Sequence, residues 1–140
     1  MDNNYQSEVH KQSLILLFVL IVQYVLGMTL AMFASGISSE RTILDRTVFI
    51  LHIITGLVLL VVSITIYNSA KKLGDKLIGK LVFYGIVSII LSLSGGIIYV
   101  AANGNIATVG SLIMAFSFLM IFSVYGYLSF ITREIKNRLV

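Results

Sequence analysis

The chain has 140 residues, of which 58% are hydrophobic and only 11% charged. Soluble domains carry about 25% charged residues to stay solvated, so this composition describes a single domain, residues 1–140, whose solvent is lipid. The net charge of +4 flanks apolar runs, which points to membrane topology and away from nucleic acid, and the absence of cysteine removes disulfides, thiolate metal ligands and a cysteine nucleophile.

A membrane helix needs about 20 apolar residues to cross ~30 Å of hydrocarbon. A polar leader containing His10, expected to be solvated, precedes a first span over residues 13–35 that carries no charge. That run exceeds the 7–15 residues of a signal-peptide core and reads as a retained helix. The first loop, GISSERTILDR, holds Glu40, Arg41, Asp45 and Arg46, read as solvated surface pairs. The second span covers residues 47–67 and contains His52 and Gly56. The second loop, NSAKKLGDKLIGK, is basic and suits anionic lipid or a partner subunit. The third span covers residues 79–102, with Lys80 at its edge. A tight turn at Asn103, Gly104 and Asn105 then leads to the fourth span over residues 106–132. None of the runs alternates, so barrel strands are excluded. There is no proline, and the spans should be unkinked, unlike the broken helices of many transporters.

Charge sets the expected orientation. The N-terminus, second loop and C-terminus hold Lys11, Lys71, Lys72, Lys76, Lys80, Arg133, Lys136 and Arg138, against Arg41 and Arg46 in the other two connections. Eight against two places both termini in the cytoplasm. The expected fold is an all-α, antiparallel bundle of four transmembrane helices, multi-pass in the cell membrane.

A shift of 68 residues sets Gly27 on Gly95, Ala34 on Ala102 and Gly36 on Gly104. This reads either as a duplicated two-helix hairpin or as shared lipid-facing composition. Two stripes of small residues, Gly27/Ala31/Ser35 and Ser88/Ser92/Gly96, let helices approach closely. They serve packing within the bundle, a homodimer, or contact with another subunit. Tyr24, Tyr84, Tyr99, Tyr125 and Tyr127 lie in or near spans; Tyr99 and Tyr127 suit interface anchoring, and any of the five suits a quinone headgroup.

No Asp, Glu, Lys or Arg lies deep in a span, which disfavours proton-coupled transport. Small multidrug transporters are also four-helix proteins but carry an embedded glutamate, where this chain has only Gln23. The polar anomaly is His52, which in hydrocarbon needs a partner. It suits a metal or haem ligand, a quinone partner, or a structural group bonded to a neighbouring hydroxyl. Gly56, one turn on, opens space on the same face for a macrocycle or another helix. Counting from Leu44, His52 lies about 12 Å deep. Met28, counted from Gly36, and Met114, counted from Ile106, reach the same depth and qualify as second axial ligands, whereas Met120 lies about 9 Å deeper. A symmetric dimer would instead bring two copies of His52 to one haem.

LIVQYVLGMTLAMFASG followed by LHIITGLVLLVVSITIY resembles the paired helices of haem A synthases and related small b-type haem membrane proteins, some archaeal members of which have four spans. The resemblance implies His52 as a haem ligand. Where the synthases carry a Glu-x-x-His-Arg-like region, this chain has Asp45, Arg46 and an unaccompanied His52, and its fourth span lacks a second histidine. A relative keeping one haem, or only the fold, is the implied form. The functional expectation is therefore a small subunit of a respiratory or electron-transfer complex, binding one haem b through His52. The alternative is a cofactor-free structural or assembly protein. A degenerate synthase-like enzyme and a small transporter rank lower.

Overall fold

The computed structural model describes residues 3–34, 43–102 and 104–138. Ser35 and Gly36 at the end of the first span, Glu40 and Arg41 of the first loop, and Asn103 in the third turn lie outside the described residues, as does the side chain of Asp45. Four helices follow in order: α1 (Asn3–Ala34), α2 (Ile43–Leu73), α3 (Lys76–Ala101) and α4 (Asn105–Arg138). Each is long and apolar enough to cross a membrane, and no strand is present among the described residues. Lipid leaves the backbone no external partner, so a continuous apolar run of this length folds as helix.

The helices outrun the apolar spans. At 1.5 Å per residue the 32-residue α1 is about 48 Å long. Its polar leader is helical from Asn3 because Gln6, Val9, His10 and Ser13 recur on one face and dock on α4. Gln6 Nε2 donates to the Thr132 carbonyl at 2.8 Å. His10, expected in solvent, is half-buried, with Nδ1 2.9 Å from the Ser129 carbonyl.

The second loop contracts to two residues. Gly74, at φ 75°, adopts the left-handed conformation that ends α2, and its N–H donates to the Lys71 carbonyl. Asp75 caps α3, Oδ1 accepting from the N–H groups of Leu77 and Ile78 at 2.8 and 3.1 Å. Lys71 and Lys72 stand in the last turn of α2, where cations complement the helix dipole.

The helices pack as a ring of neighbours, α1 on α2, α2 on α3, α3 on α4 and α4 on α1. The filled core occupies one half. It is built from Val9, Leu16 and Leu20 of α1, Leu59 and Ile66 of α2, Ile78, Val82 and Ile89 of α3, and Ile121, Tyr125 and Leu128 of α4. At its centre the fully buried Tyr125 ring lies over Gly85, and its hydroxyl hydrogen-bonds the buried Ser63. In the other half, buried positions fall mostly on glycines: Gly56, Gly95 and Gly110. There α3 and α4 approach so closely that a Cβ on Gly110 would stand 2.7 Å from both the Gly95 carbonyl oxygen and the Tyr99 nitrogen.

This register qualifies the apparent repeat. Gly27 meets His52, whereas Gly95, its counterpart at a shift of 68, meets Gly110 rather than Met120. One offset does not run through both helices of the hairpin, because the turn after α3 is shorter than the connection after α1.

Candidate functional site

The polar cluster around His52 joins α1 to α2 in the glycine-rich half. Three features of sequence produce it. Gln23 and Gly27 are one turn apart on α1, so they share a face, and His52, Thr55 and Gly56 share a face of α2. Gly27 has no side chain, which lets the His52 ring lie on the α1 backbone. A Cβ at Gly27 would stand 3.1 Å from His52 Cε1. Gln23, one turn closer to the core, then reaches both partners.

Hydrogen bonds define the cluster. The Thr55 hydroxyl donates to Gln23 Oε1. Thr55 Oγ1 also lies 2.9 Å from the carbonyl of Leu51 and 3.1 Å from that of His52. The Gln23 amide nitrogen is thereby turned to His52 Nε2, at 3.2 Å. This bond engages Nε2 and leaves Nδ1 as the ring's other nitrogen. That Nδ1 is buried and has no hydrogen-bond partner. The cluster thus satisfies one ring nitrogen and leaves the other dry against α1.

The surroundings of His52 do not fit a haem. An axial histidine turns the lone pair of one ring nitrogen to the iron, with a flat macrocycle lying across it. Nε2 already faces the Gln23 amide. Nδ1 lies 3.7 Å from the Cβ position of Gly27, so the α1 backbone stands where a macrocycle would lie. The space that Gly56 opens is filled by Gln23 Nε2 and Leu93 Cδ2, at 3.4 and 3.5 Å from its Cβ position. In this arrangement His52 offers no face to a haem. The two depth-matched methionines have other surroundings. Met28 is about half exposed, and Met114 packs on Gly96, its Sδ 3.6 Å from the Cβ position there. No group of three or more His, Cys, Asp or Glu able to hold a metal occurs among the described residues.

The remaining candidates are also placed. Tyr125 is spent on Ser63. Tyr24 packs at a tilt against Phe118 of α4, with ring centroids 4.9 Å apart and planes at 32°. Tyr99 and Tyr127 are exposed. The small-residue stripes are used inside the bundle at several points: Gly27 receives His52, Gly96 receives Met114, and Ser88 is buried. Ala31 is exposed.

Sequence reasoning missed Gln23 as the partner of His52 and missed the docking of His10 and Gln6 on α4. The signal for the second was present: Gln6, Val9, His10 and Ser13 recur at helical spacing ahead of the apolar run. No protein-family model, curated protein or solved structure matches this chain.

Proposed function

We propose that this chain is a small membrane subunit that serves a larger membrane assembly as a helical scaffold. Its fold in the cell membrane is an antiparallel, up-and-down bundle with both termini cytoplasmic. The observation that carries the scaffold reading is the use made of His52, the histidine inside the second span: Nε2 is engaged by Gln23, which Thr55 holds in turn. The polar anomaly of the sequence acts as a clamp between α1 and α2. Antiparallel order is supported by pairs in which one number rises as the other falls: Gln6–Thr132 and His10–Ser129 for α1 and α4, Gln23–Thr55 and Gly27–His52 for α1 and α2, Gly85–Tyr125 and Gly95–Gly110 for α3 and α4. Orientation is supported by the eight-to-two distribution of basic residues. The likeness of the first hairpin to haem A synthase helices makes a respiratory or electron-transfer complex the parent assembly of choice.

Extraction of the tagged chain from native membranes in mild detergent tests the reading. The expected result is co-purification with larger membrane proteins, unchanged by His52→Ala. Recovery as a lone monomer refutes it. Sidedness is checked by labelling single cysteines at Asn4 and Gly104 with an impermeant maleimide in a chain that has no native cysteine.

A second reading, one haem b on His52, is motivated by the resemblance of the first hairpin to the helices of b-type haem proteins and requires Gln23 to withdraw from Nε2. An optical spectrum decides it. A Soret band lost in His52→Ala establishes the haem, and no band after haem supplementation removes it.

A further inference from the structure

Around the two-residue turn between α2 and α3 the chain forms an open groove of about 450 Å³. Three of its lining residues, Lys71, Lys76 and Lys80, are cations, and three, Tyr67, Phe83 and Tyr84, are aromatic. The lysines are all exposed. Gly74 and Gly79 leave the groove open, since a Cβ built on either meets nothing within 4 Å. The one carboxylate present, Asp75, has its Oδ1 turned to the N–H groups of Leu77 and Ile78. Lys72 is not part of the groove; its Nζ lies 5.3 Å over the Tyr5 ring of α1.

The groove lies where two spans end, Arg46–Leu73 and Lys76–Ala101. Hydrocarbon gives way there to headgroups. Its cations gather at the turn, while Phe83 and Tyr84 stand two turns further into α3, 53% and 57% exposed. A ligand with a phosphate at one end and an apolar body at the other meets both. We propose that this groove binds the phosphate headgroup of an anionic phospholipid. Lys71, Lys76 and Lys80 face the phosphate, and Phe83 and Tyr84 flank the glycerol and upper acyl chain. Each lysine near a membrane surface strengthens attraction to anionic lipid about fivefold. A built groove concentrates that attraction on one molecule. The inference is independent of His52 and of the scaffold reading.

Native mass spectrometry of the full chain, with phosphatidylglycerol or phosphatidylcholine added, tests it. Phosphatidylglycerol is expected to bind as one retained molecule and phosphatidylcholine not. The triple variant Lys71→Gln, Lys76→Gln, Lys80→Gln should weaken retention by roughly 100-fold. A variant with the same charge change outside the groove, Lys11→Gln, Lys72→Gln, Arg133→Gln, should stay within about threefold of wild type. Gly79→Phe fills the groove without altering charge and should also abolish retention. Circular dichroism of each variant reports whether the helices persist, and Gly79→Phe carries the test if the charge variant does not fold. Equal loss in both charge variants would mean diffuse attraction and overturn the site. So would retention in Gly79→Phe, or glycerol phosphate binding as tightly as the lipid.

Discussion

Replacing Gly85 by alanine tests the packing of the filled half. The new Cβ would stand 2.5 Å from Tyr125 Cε2 and 2.7 Å from both Cζ and the hydroxyl oxygen. Unstrained carbon contacts lie at about 3.5–4.0 Å, so the ring must retreat by roughly 1 Å. It has no room to do so, being fully buried and tied to Ser63 on α2. Overpacking a filled site costs about 1–3 kcal/mol. The interhelical hydrogen bond lost with the shift adds about 0.6 kcal/mol. Alanine recovers about 1 kcal/mol over glycine through helix propensity. The expected net loss is about 2 kcal/mol. Reversible unfolding in mixed detergent micelles, followed by circular dichroism, measures it. Gly126→Ala is the control, since its Cβ meets nothing within 4 Å and only the propensity gain remains. Pairing Gly85→Ala with Tyr125→Leu should cost less than the sum of the two. Equal stability of Gly85→Ala and wild type, or equal shifts for the two alanine variants, would refute the reasoning.

Substitutions at three further places probe other parts of the bundle. Gly110→Ala should cost more than Gly85→Ala, because its Cβ meets the backbone of Gly95 and Tyr99, which cannot turn aside, and the same unfolding titration reads this. His52→Ala and Gln23→Leu should each destabilise by about 0.6–1.7 kcal/mol, and a double-mutant cycle should show them coupled; additive effects would mean that the clamp does not form. Asp75→Ala should cost about 1 kcal/mol of helix capping, with Asp75→Asn close to wild type, measured by thermal unfolding.

The four helices were legible because lipid leaves an apolar run of some 20 residues one way to satisfy its backbone. Their ends were less so. Hydropathy stops the second span at Tyr67, yet α2 runs on to Leu73 because Ala70 and Leu73 still face the core. The polar leader was set outside the fold for the same reason: hydropathy averages away a face on which Gln6 and His10 find carbonyls of α4. The site was half legible. His52 stood out as a polar group in hydrocarbon, and depth counting from the loops matched it to Met28, one residue from its actual neighbour Gly27. Height along the membrane can be counted. Azimuth cannot, because helices that are apolar all round carry no periodicity to say which face turns inward. Met28 thus matched in depth while pointing largely outward, and Gln23, noted only for its depth, proved to be the partner.

The two halves of the bundle are held by different means, and this bears on how a scaffold would work. Contacts joining the first hairpin to the second, Gln6–Thr132, His10–Ser129 and Ser63–Tyr125, lie in the filled half. Tyr24–Phe118 lies at its border. In the glycine-rich half the closest approaches run within each hairpin, Gly27 on His52 and Gly95 on Gly110, while Gly56 faces Leu93 across the hairpins. Association in lipid draws on dispersion contacts and hydrogen bonds, without a hydrophobic drive between helices. Among the described residues the filled half therefore carries the hydrogen bonds that join the two hairpins, while Gly27–His52 and Gly95–Gly110 each join one pair. The Gln23–His52–Thr55 cluster joins α1 to α2 in the glycine-rich half, which gives a half-buried histidine a structural use.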